Sequence, residues 1–152
     1  PDAMALTEGS APHTYTVTAS ATASSNVAVA GPDLPALDTA PPPQFDGPGG
    51  LWSPETLLCA AVANCLILTF RAIARASKFD WLELNCRTEA LLERVQGGAR
   101  FTRYTSYATL KLPASADAAK AGLLLEKSEH SCLVANSLNG ERLLHVEVTH
   151  AA

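Results

Sequence analysis

A long apolar stretch near the middle of the chain constrains the fold more than any other feature. Ser53 and Pro54 form a helix-start signal, because a serine hydroxyl caps the first backbone amides and a proline at the first helical position loses no needed N–H. Across residues 57–70 only Asn64 and Thr69 are polar. A helix that is apolar on nearly every side is normally buried, either in a protein core or in a membrane.

The apolar run ends at Arg71, short of the roughly 20 residues that a membrane span requires. We therefore predict a central, buried helix of a soluble protein over residues 53–76, with Cys65 near its middle and no membrane association. Such a helix needs apolar cover from other elements of the chain or from a second copy.

Composition and charge place the chain among globular proteins. With 152 residues, 47% of them apolar and 17% charged, the chain fits one domain that can bury a sizeable core. The formal net charge of -4 gives no general attraction to nucleic acid. We expect Met4 to be the native start, residues 1–3 to be a cloning remnant and residues 4–152 to form a single domain. Four cysteines without a signal peptide argue against a secreted disulfide framework and favour a cytoplasmic location.

Alternating apolar and polar residues predict strands on both sides of the central helix. The predicted elements are a hairpin at 14–30, a Pro/Gly-rich connection at 31–50, the central helix, strands at 81–95 and 99–112, a second helix at about 115–138 and a last strand at 142–149. This order indicates an α+β fold with antiparallel sheets and two main helices. The side chains of the two long strands that are predicted to face the core are Leu82, Leu84, Cys86, Ala90, Leu92, Tyr104, Ala108, Leu110 and Leu112.

The other predicted elements offer too little apolar surface to bury the central helix, and this predicts an oligomer. One small sheet and one further helix would leave part of this apolar helix in water. We therefore expect a homodimer in which the central helices of the two copies pack against each other.

The four cysteines are the residues of this chain that are most able to take part in a chemical reaction. An unpaired cysteine is most often a small buried hydrophobe, and Cys59 and Cys86, each within an apolar run, fit that interpretation. A zinc site that combines the cysteines with His130 would lack the paired short spacings of structural zinc sites, so no metal is expected. Cys65 and Cys132 lie on two different predicted helices.

Several local sequences nevertheless have a known counterpart. They are SPETLL at residues 53–58, AAVANC ending at Cys65, and CLVANSL beginning at Cys132. Together with the Gly-rich approach to the first helix, the intervening hairpin and the final strand, they resemble the OsmC/Ohr superfamily over about residues 12–150. This superfamily comprises the osmotically inducible protein C and organic hydroperoxide resistance proteins.

The resemblance implies an intertwined homodimer that acts as a thiol-dependent peroxidase on small organic hydroperoxides in oxidative stress defence. By motif, Cys65 looks like the peroxidatic cysteine and Cys132 like the resolving one. A sulfenic acid at Cys65 would condense with Cys132, and an external dithiol reductant, often of the lipoyl type in this family, would reduce the disulfide. No bound cofactor is implied.

Glu55 matches an acidic position at the helix start of the family, and it has two open interpretations. It either compensates the helix dipole or serves the site. Ten helical residues separate it from Cys65 by about 15 Å, so a role at that cysteine would require the partner subunit's copy. The family pattern also uses an arginine from the N-terminal strands. This chain has no Lys or Arg before Arg71. Candidate replacements, from later in the chain or across the dimer, are Arg71, Arg75, Arg87, Arg103 and His130.

The missing arginine keeps a second functional class open. In that alternative, the same dimer has inert cysteines and binds a small apolar ligand at the subunit interface without redox turnover. A buried cysteine without a nearby cation has a raised pKa and reacts slowly.

Overall fold

A computed structural model describes residues 11–152 of the chain, so the expectations for Met4 and residues 1–3 lie outside the described residues. The described part forms two compact units, which comprise residues 11–58 and 59–152. The expectation of a single domain over residues 4–152 stays a prediction.

The first unit contains a small antiparallel sheet. Its strands are β1 (Thr18–Ser20), β2 (Val27–Ala30) and β3 (Leu37–Thr39), with β2 in the centre. The turn between β1 and β2 is closed by two reciprocal hydrogen bonds. The Thr22 N–H donates to Ser25 Oγ at 2.8 Å, and the Ser25 N–H donates to Thr22 Oγ1 at 3.1 Å. The predicted hairpin is confirmed, with strands shorter than the alternation indicated.

Strand β3 corrects the sequence interpretation, because it lies inside the segment 31–50 that was predicted as a connection only. Thr39 pairs with Val27 in the sheet, and its hydroxyl also donates to the Val27 carbonyl at 3.0 Å. Three residues are too few to show an alternating pattern, and neighbouring prolines hid the strand. A single 3-10 turn follows at Pro43–Phe45.

The central helix α1 spans Pro54–Ala76, as the sequence predicted. The Ser53 hydroxyl accepts from the Thr56 N–H at 3.1 Å, and the Ser53 N–H donates to the Thr56 hydroxyl at 2.8 Å. This reciprocal pair caps the helix start. By length and composition alone α1 could cross a membrane, but the same holds for the core helix of a soluble protein. Its buried residues are Val62, Cys65, Leu66, Thr69, Phe70, Ala72, Ile73 and Ala74.

The second unit is built on a mixed sheet of three strands, in the order β4 (Glu83–Val95), β5 (Gly98–Leu112) and β6 (Glu141–His150). Strands β4 and β5 are antiparallel, whereas β5 and β6 are parallel. The prediction of purely antiparallel sheets was therefore wrong. The chain between β5 and β6 is a helical crossover, which returns it to the end of the sheet where β5 began, so that β6 runs in the same direction.

Most of the side chains predicted to face the core do so. Tyr104, Ala108, Leu110, Leu112 and Leu84 are buried, and Cys86 and Ala90 are half-buried. Leu82 and Leu92 were assigned wrongly, since they are 53% and 38% exposed. Leu82 precedes the strand, and a bulge between Leu91 and Leu92 interrupts the alternation of the two faces.

The core of this unit lies between the sheet, the second half of α1 and helix α2 (Ala118–Ser131). The Asp117 carboxylate caps α2 by accepting from the Ala119 and Lys120 amides at 2.9 and 3.2 Å. The buried core side chains are Phe70, Ile73, Ala74, Leu84, Ala108, Leu110, Leu112, Ala121, Leu124 and Leu125.

The second predicted helix, expected to continue to about residue 138, is broken at Cys132. This residue has an extended backbone, with φ -66° and ψ 103°, and the short helix α3 (Leu133–Asn136) follows it. No proline or glycine marks the break. Side chains supply the reason, because the Glu129 carbonyl accepts from the Arg142 guanidinium and the His130 carbonyl accepts from the Asn136 amide. These contacts satisfy carbonyls that a continuing helix would otherwise use.

Candidate functional site

Cys65 of α1 and Cys132 at the break between α2 and α3 lie together in a small buried cluster. Cys65 is 4% exposed and Cys132 is 1% exposed, and both are free thiols. Ala135 completes the buried set, and the half-buried Val134 packs against it. The structure therefore brings together two of the three predicted site residues, which stand 67 positions apart in the sequence.

The helical period determines which cysteine of α1 faces Cys132. Six residues separate Cys59 from Cys65, so the two side chains leave α1 in different directions. Cys65 lies next to Thr69, one turn later, with its sulfur 3.8 Å from the Thr69 hydroxyl. Cys59 instead faces strand β4, where the Ala90 backbone amide is its neighbour. Only Cys65 is therefore available to the α2–α3 break.

The environment of Cys132 disfavours its ionised form. Burial is the largest cause and raises the pKa of the Cys132 thiol to about 11, against the opposing effect of the Ala135 backbone amide. Cys65 raises the pKa of Cys132 further, as a hydrogen-bonding neighbour and as a charge. Cys132 therefore keeps its proton at neutral pH.

A polar network holds the backbone on both sides of Cys132. Arg142, the second residue of β6, donates from Nε to the Glu129 carboxylate at 2.7 Å and from Nη1 to the Asn136 side-chain oxygen at 2.7 Å. Its Nη2 donates to the Glu129 carbonyl at 2.5 Å. Glu129 lies in the last turn of α2 and Asn136 is the last residue of α3, so one guanidinium bridges the break. Sequence analysis assigned no role to these three residues, although Asn136 lies within the CLVANSL segment that begins at Cys132.

The cations that the sequence offered for Cys65 are exposed at the surface of the single chain. Arg87 pairs with Glu89 and lies over the Tyr107 ring, and Arg103 pairs with Glu141 at 3.0 Å. The remaining candidates, Arg71, Arg75 and His130, are exposed. A cation supplied across a dimer stays a prediction.

Glu55, the third predicted site residue, lies in the first turn of α1 within the unit of residues 11–58. Its Oε2 atom is buried and has no hydrogen-bond partner among residues 11–152. Burying a carboxylate oxygen without a hydrogen-bond donor costs free energy. A donor from outside residues 11–152 would therefore stabilise Glu55.

Cys59 and Cys86 are half-buried, and burial raises the pKa of each thiol. The Cys86 sulfur lies 3.7 Å from the Thr88 hydroxyl, which in turn is 2.9 Å from the Ser106 hydroxyl. Within the described residues 11–152, no group of three or more His, Cys, Asp or Glu side chains is placed to hold a metal ion.

Comparison with known proteins connects this arrangement to a family. The family of OsmC-like proteins matches residues 47–147 of the chain. The uncharacterized protein YmaD of Bacillus subtilis (strain 168) is 29% identical over 111 residues, which cover 71% of this chain and 74% of YmaD.

Solved structures share the fold. An organic hydroperoxide resistance protein OsmC from Legionella pneumophila is 25% identical with a TM-score of 0.71, and the match covers 91% of this chain and 99% of that protein. An OsmC-like protein of unknown function from Vibrio cholerae is 15% identical with a TM-score of 0.77, over 90% of this chain and 99% of that protein. The two-sheet α+β architecture is therefore that of the OsmC-like structures.

Proposed function

The chain belongs to the OsmC-like family, and from this premise we propose that it is a thiol-dependent peroxidase that reduces organic hydroperoxides in the cytoplasm. The observation that carries the proposal is the buried contact between Cys65 and Cys132, which come from separate elements. The name of the Legionella pneumophila relative, an organic hydroperoxide resistance protein, supports the substrate class. The physiological role would be oxidative stress defence.

The first step oxidises Cys65. Its thiolate attacks the terminal oxygen of the hydroperoxide, the O–O bond breaks, and the alkoxide takes a proton and leaves as an alcohol. The second step joins the two sulfurs, since the Cys132 sulfur attacks the sulfenic acid at Cys65 and water leaves. In sum, one hydroperoxide and two thiols become one alcohol, one water and one disulfide.

The third step restores the thiols. An external dithiol, proposed to be of the lipoyl type, attacks the disulfide through a mixed disulfide and is itself oxidised to a disulfide. Both protons and both electrons then return to Cys65 and Cys132. No cofactor bound to the chain is needed for this cycle.

The properties of Cys132 support its role as the resolving thiol. Because its pKa is raised to about 11, it is protonated at neutral pH and is a poor first nucleophile toward peroxide. Its place beside Cys65 compensates, since a thiol held next to a sulfenic acid reacts at a high effective concentration. The resolving role therefore depends on position more than on acidity.

The orphaned Oε2 of Glu55 supports the proposal of a functional homodimer. A cation from a second copy would satisfy this carboxylate, and the pair would then be placed to assist a thiolate of the partner subunit. This explains how a chain without a Lys or Arg before Arg71 could still activate its peroxidatic cysteine. The dimer is part of the proposal.

The apolar neighbours of Cys65 indicate the preferred peroxide. Ala135 and Val134 surround the two sulfurs, and Leu66 and Phe70 lie on the same helix. Such surroundings favour the alkyl or aryl group of an organic hydroperoxide over the small, strongly hydrated hydrogen peroxide.

Thiol titration before and after one equivalent of cumene hydroperoxide tests the proposal. We expect two thiols per chain to disappear, and Cys65→Ser to prevent the loss. Hydrogen peroxide should produce the same loss more slowly, and a clear preference for hydrogen peroxide would contradict the proposed substrate class. Cys86→Ser serves as the matched control, because its thiol is half-buried in strand β4 and does not belong to the buried cluster of the pair.

The second candidate function is a redox-inactive dimer that binds a small apolar ligand at the subunit interface. The burial of both thiols favours it, since cysteines buried in apolar surroundings are normally inert. An unchanged thiol count after cumene hydroperoxide, in a protein with a normal unfolding transition, would select this function over the first.

A further inference from the structure

Cys132 lies at the backbone break between α2 and α3. Neither a disulfide nor a glycine at this point determines the conformation of the break. Its backbone is held by one hydrogen bond on each side: the Cys132 N–H donates to the Glu129 carbonyl at 3.3 Å, and the Asn136 N–H donates to the Cys132 carbonyl at 2.9 Å. Arg142 donates hydrogen bonds to both of the residues that flank Cys132 in these contacts, Glu129 and Asn136. We refer to Arg142, Glu129 and Asn136 as the clip.

The clip is better protected from water than the other ion pairs of the described chain. The side chains of Arg142 and Glu129 are 25% and 22% exposed, whereas those of Arg103 and Glu141 are 48% and 57% exposed. Partly buried, charge-assisted hydrogen bonds with three acceptors fix a geometry, while an exposed pair contributes little. The Asn136 amide adds a further bond, donating to the His130 carbonyl at 3.1 Å.

Building on the proposed peroxidase function, we propose that Arg142 is a positioning residue that holds Cys132 in register with Cys65 for disulfide formation. Arg142 does not touch the reacting sulfurs in this role. It acts through Glu129 and Asn136, which flank Cys132 on either side of the break.

The charge of Arg142 strengthens these hydrogen bonds, but the planar shape of the guanidinium allows one side chain to reach all three acceptors. The Glu129 carboxylate already balances the charge of Arg142. Burial is the largest cause of the raised pKa at Cys132. A lysine would keep the charge but could not reach all three acceptors with one planar fork. Arg142→Lys therefore separates geometry from charge.

The position of Cys132 relative to Cys65 matters because a disulfide forms only within a narrow range of geometries. The Cα atoms of a bridged pair must lie about 4.4–6.8 Å apart with a restricted torsion about the sulfurs. Releasing the clip lets the α2–α3 break fluctuate, which lowers the effective concentration of the Cys132 sulfur at Cys65. The equilibrium between dithiol and disulfide shifts toward the dithiol.

The test equilibrates the full chain with glutathione buffers and measures the fraction of Cys65–Cys132 disulfide by acid quenching and peptide mass analysis. In this exchange the two protein thiols lose two electrons and two protons to oxidised glutathione, which becomes two reduced molecules. We expect Arg142→Lys to lower the equilibrium constant about tenfold, a shift of about 30 mV in the reduction potential. Asn136→Ala, which removes the bond from Arg142 and the bond to the His130 carbonyl at an exposed side chain, should lower it about threefold.

Two controls separate positioning from general destabilisation. Arg103→Lys changes the exposed ion pair beside the clip, and Asp117→Ala removes the cap at the other end of α2. Both should leave the equilibrium constant within about twofold of the wild type, even where Asp117→Ala lowers the melting temperature as much as Arg142→Lys does. If Arg142→Lys fails to fold, Asn136→Ala carries the decision alone.

The outcomes are distinct for the two proposals. A wild-type chain that forms no Cys65–Cys132 disulfide even in oxidised glutathione contradicts the peroxidase function. A wild type that forms it, with Arg142→Lys and Asn136→Ala equal to wild type, overturns the positioning role and leaves the peroxidase function intact. A loss shared with Asp117→Ala also overturns the positioning role, since it would reflect helix stability only.

Discussion

The pair Cys65 and Cys132 and the two remaining cysteines, Cys59 and Cys86, occupy different regions of the same unit. All four thiols are free, and burial raises the pKa of Cys59, Cys86 and Cys132 alike. The difference lies in the neighbours. Cys132 has another thiol beside it, whereas Cys59 faces the Ala90 amide and Cys86 faces hydroxyl groups.

Burial and a raised pKa are shared by cysteines inside and outside the proposed redox pair, so neither property singles that pair out. Juxtaposition does, because disulfide chemistry requires two sulfurs in one place. The two regions also differ in how the chain is held. Cys132 lies at a backbone break fixed by side chains, and Cys86 lies within a regular strand.

The largest expected effect separates the two regions most clearly. Cys65→Ser removes the attacking sulfur, so turnover of an organic hydroperoxide should fall by roughly three orders of magnitude or more. A coupled assay of dithiol consumption measures it. Cys59→Ser is the control on the same helix, and a comparable loss in that variant would show that the contrast between the regions is wrong.

Cys132→Ser should have the next largest effect. Without the neighbouring thiol, the sulfenic acid at Cys65 must wait for an external thiol, and steady turnover should fall on the order of 100-fold. Only one thiol, in place of two, should react rapidly with one equivalent of hydroperoxide. A sulfenic acid probe with mass analysis should detect the trapped Cys65 species, and its absence in this variant would contradict the resolving role.

The pH dependence of disulfide closure sharpens the comparison further. The thiolate of Cys132 is the attacking form, and its fraction rises about tenfold per pH unit below the pKa of about 11. Oxidation of Cys65 removes one contribution to that pKa, but burial, the largest cause, remains. The closure rate after sulfenic acid formation should therefore rise from pH 7 to 10, as stopped-flow tryptophan fluorescence or quenched mass analysis can follow. A rate independent of pH in this range would contradict the assignment.

The smallest expected effect is that of a substitution at Cys86, which lies outside the proposed redox pair. Cys86→Ala should change turnover by less than about twofold, because no step of the cycle uses its sulfur, and should cost about 1 kcal/mol of unfolding free energy for a half-buried thiol. Thermal or denaturant unfolding and the peroxidase assay measure the two quantities. A large loss of activity with little loss of stability would give Cys86 a role that its hydroxyl neighbours do not explain.

The extent to which sequence predicted this fold depends on the length of each element. The central helix and strand β5 carry long patterns and clear start or stop signals, and both were placed closely. Strand β3 has three residues and no pattern to recognise. The parallel pairing of β5 with β6 was missed because alternation reveals the face of a strand but not the direction of its neighbour.

The candidate site likewise has a part that the sequence predicted and a part that it did not. Local motifs alone indicate Cys65, Cys132 and Glu55. The break at Cys132 and the network around Arg142 depend on side chains from β6 that meet the α2–α3 region only in three dimensions. These residues lie only 6 and 13 positions apart, but their spacing matches no helix or strand period, because each contact joins residues from different elements.

Peptide mapping of the full chain after one equivalent of an organic hydroperoxide tests the central claim most directly. A single disulfide that links Cys65 to Cys132, with Cys59 and Cys86 still reduced, is the result that the account predicts. A protein whose four thiols all remain reduced, or one whose disulfide includes Cys59 or Cys86, would contradict it.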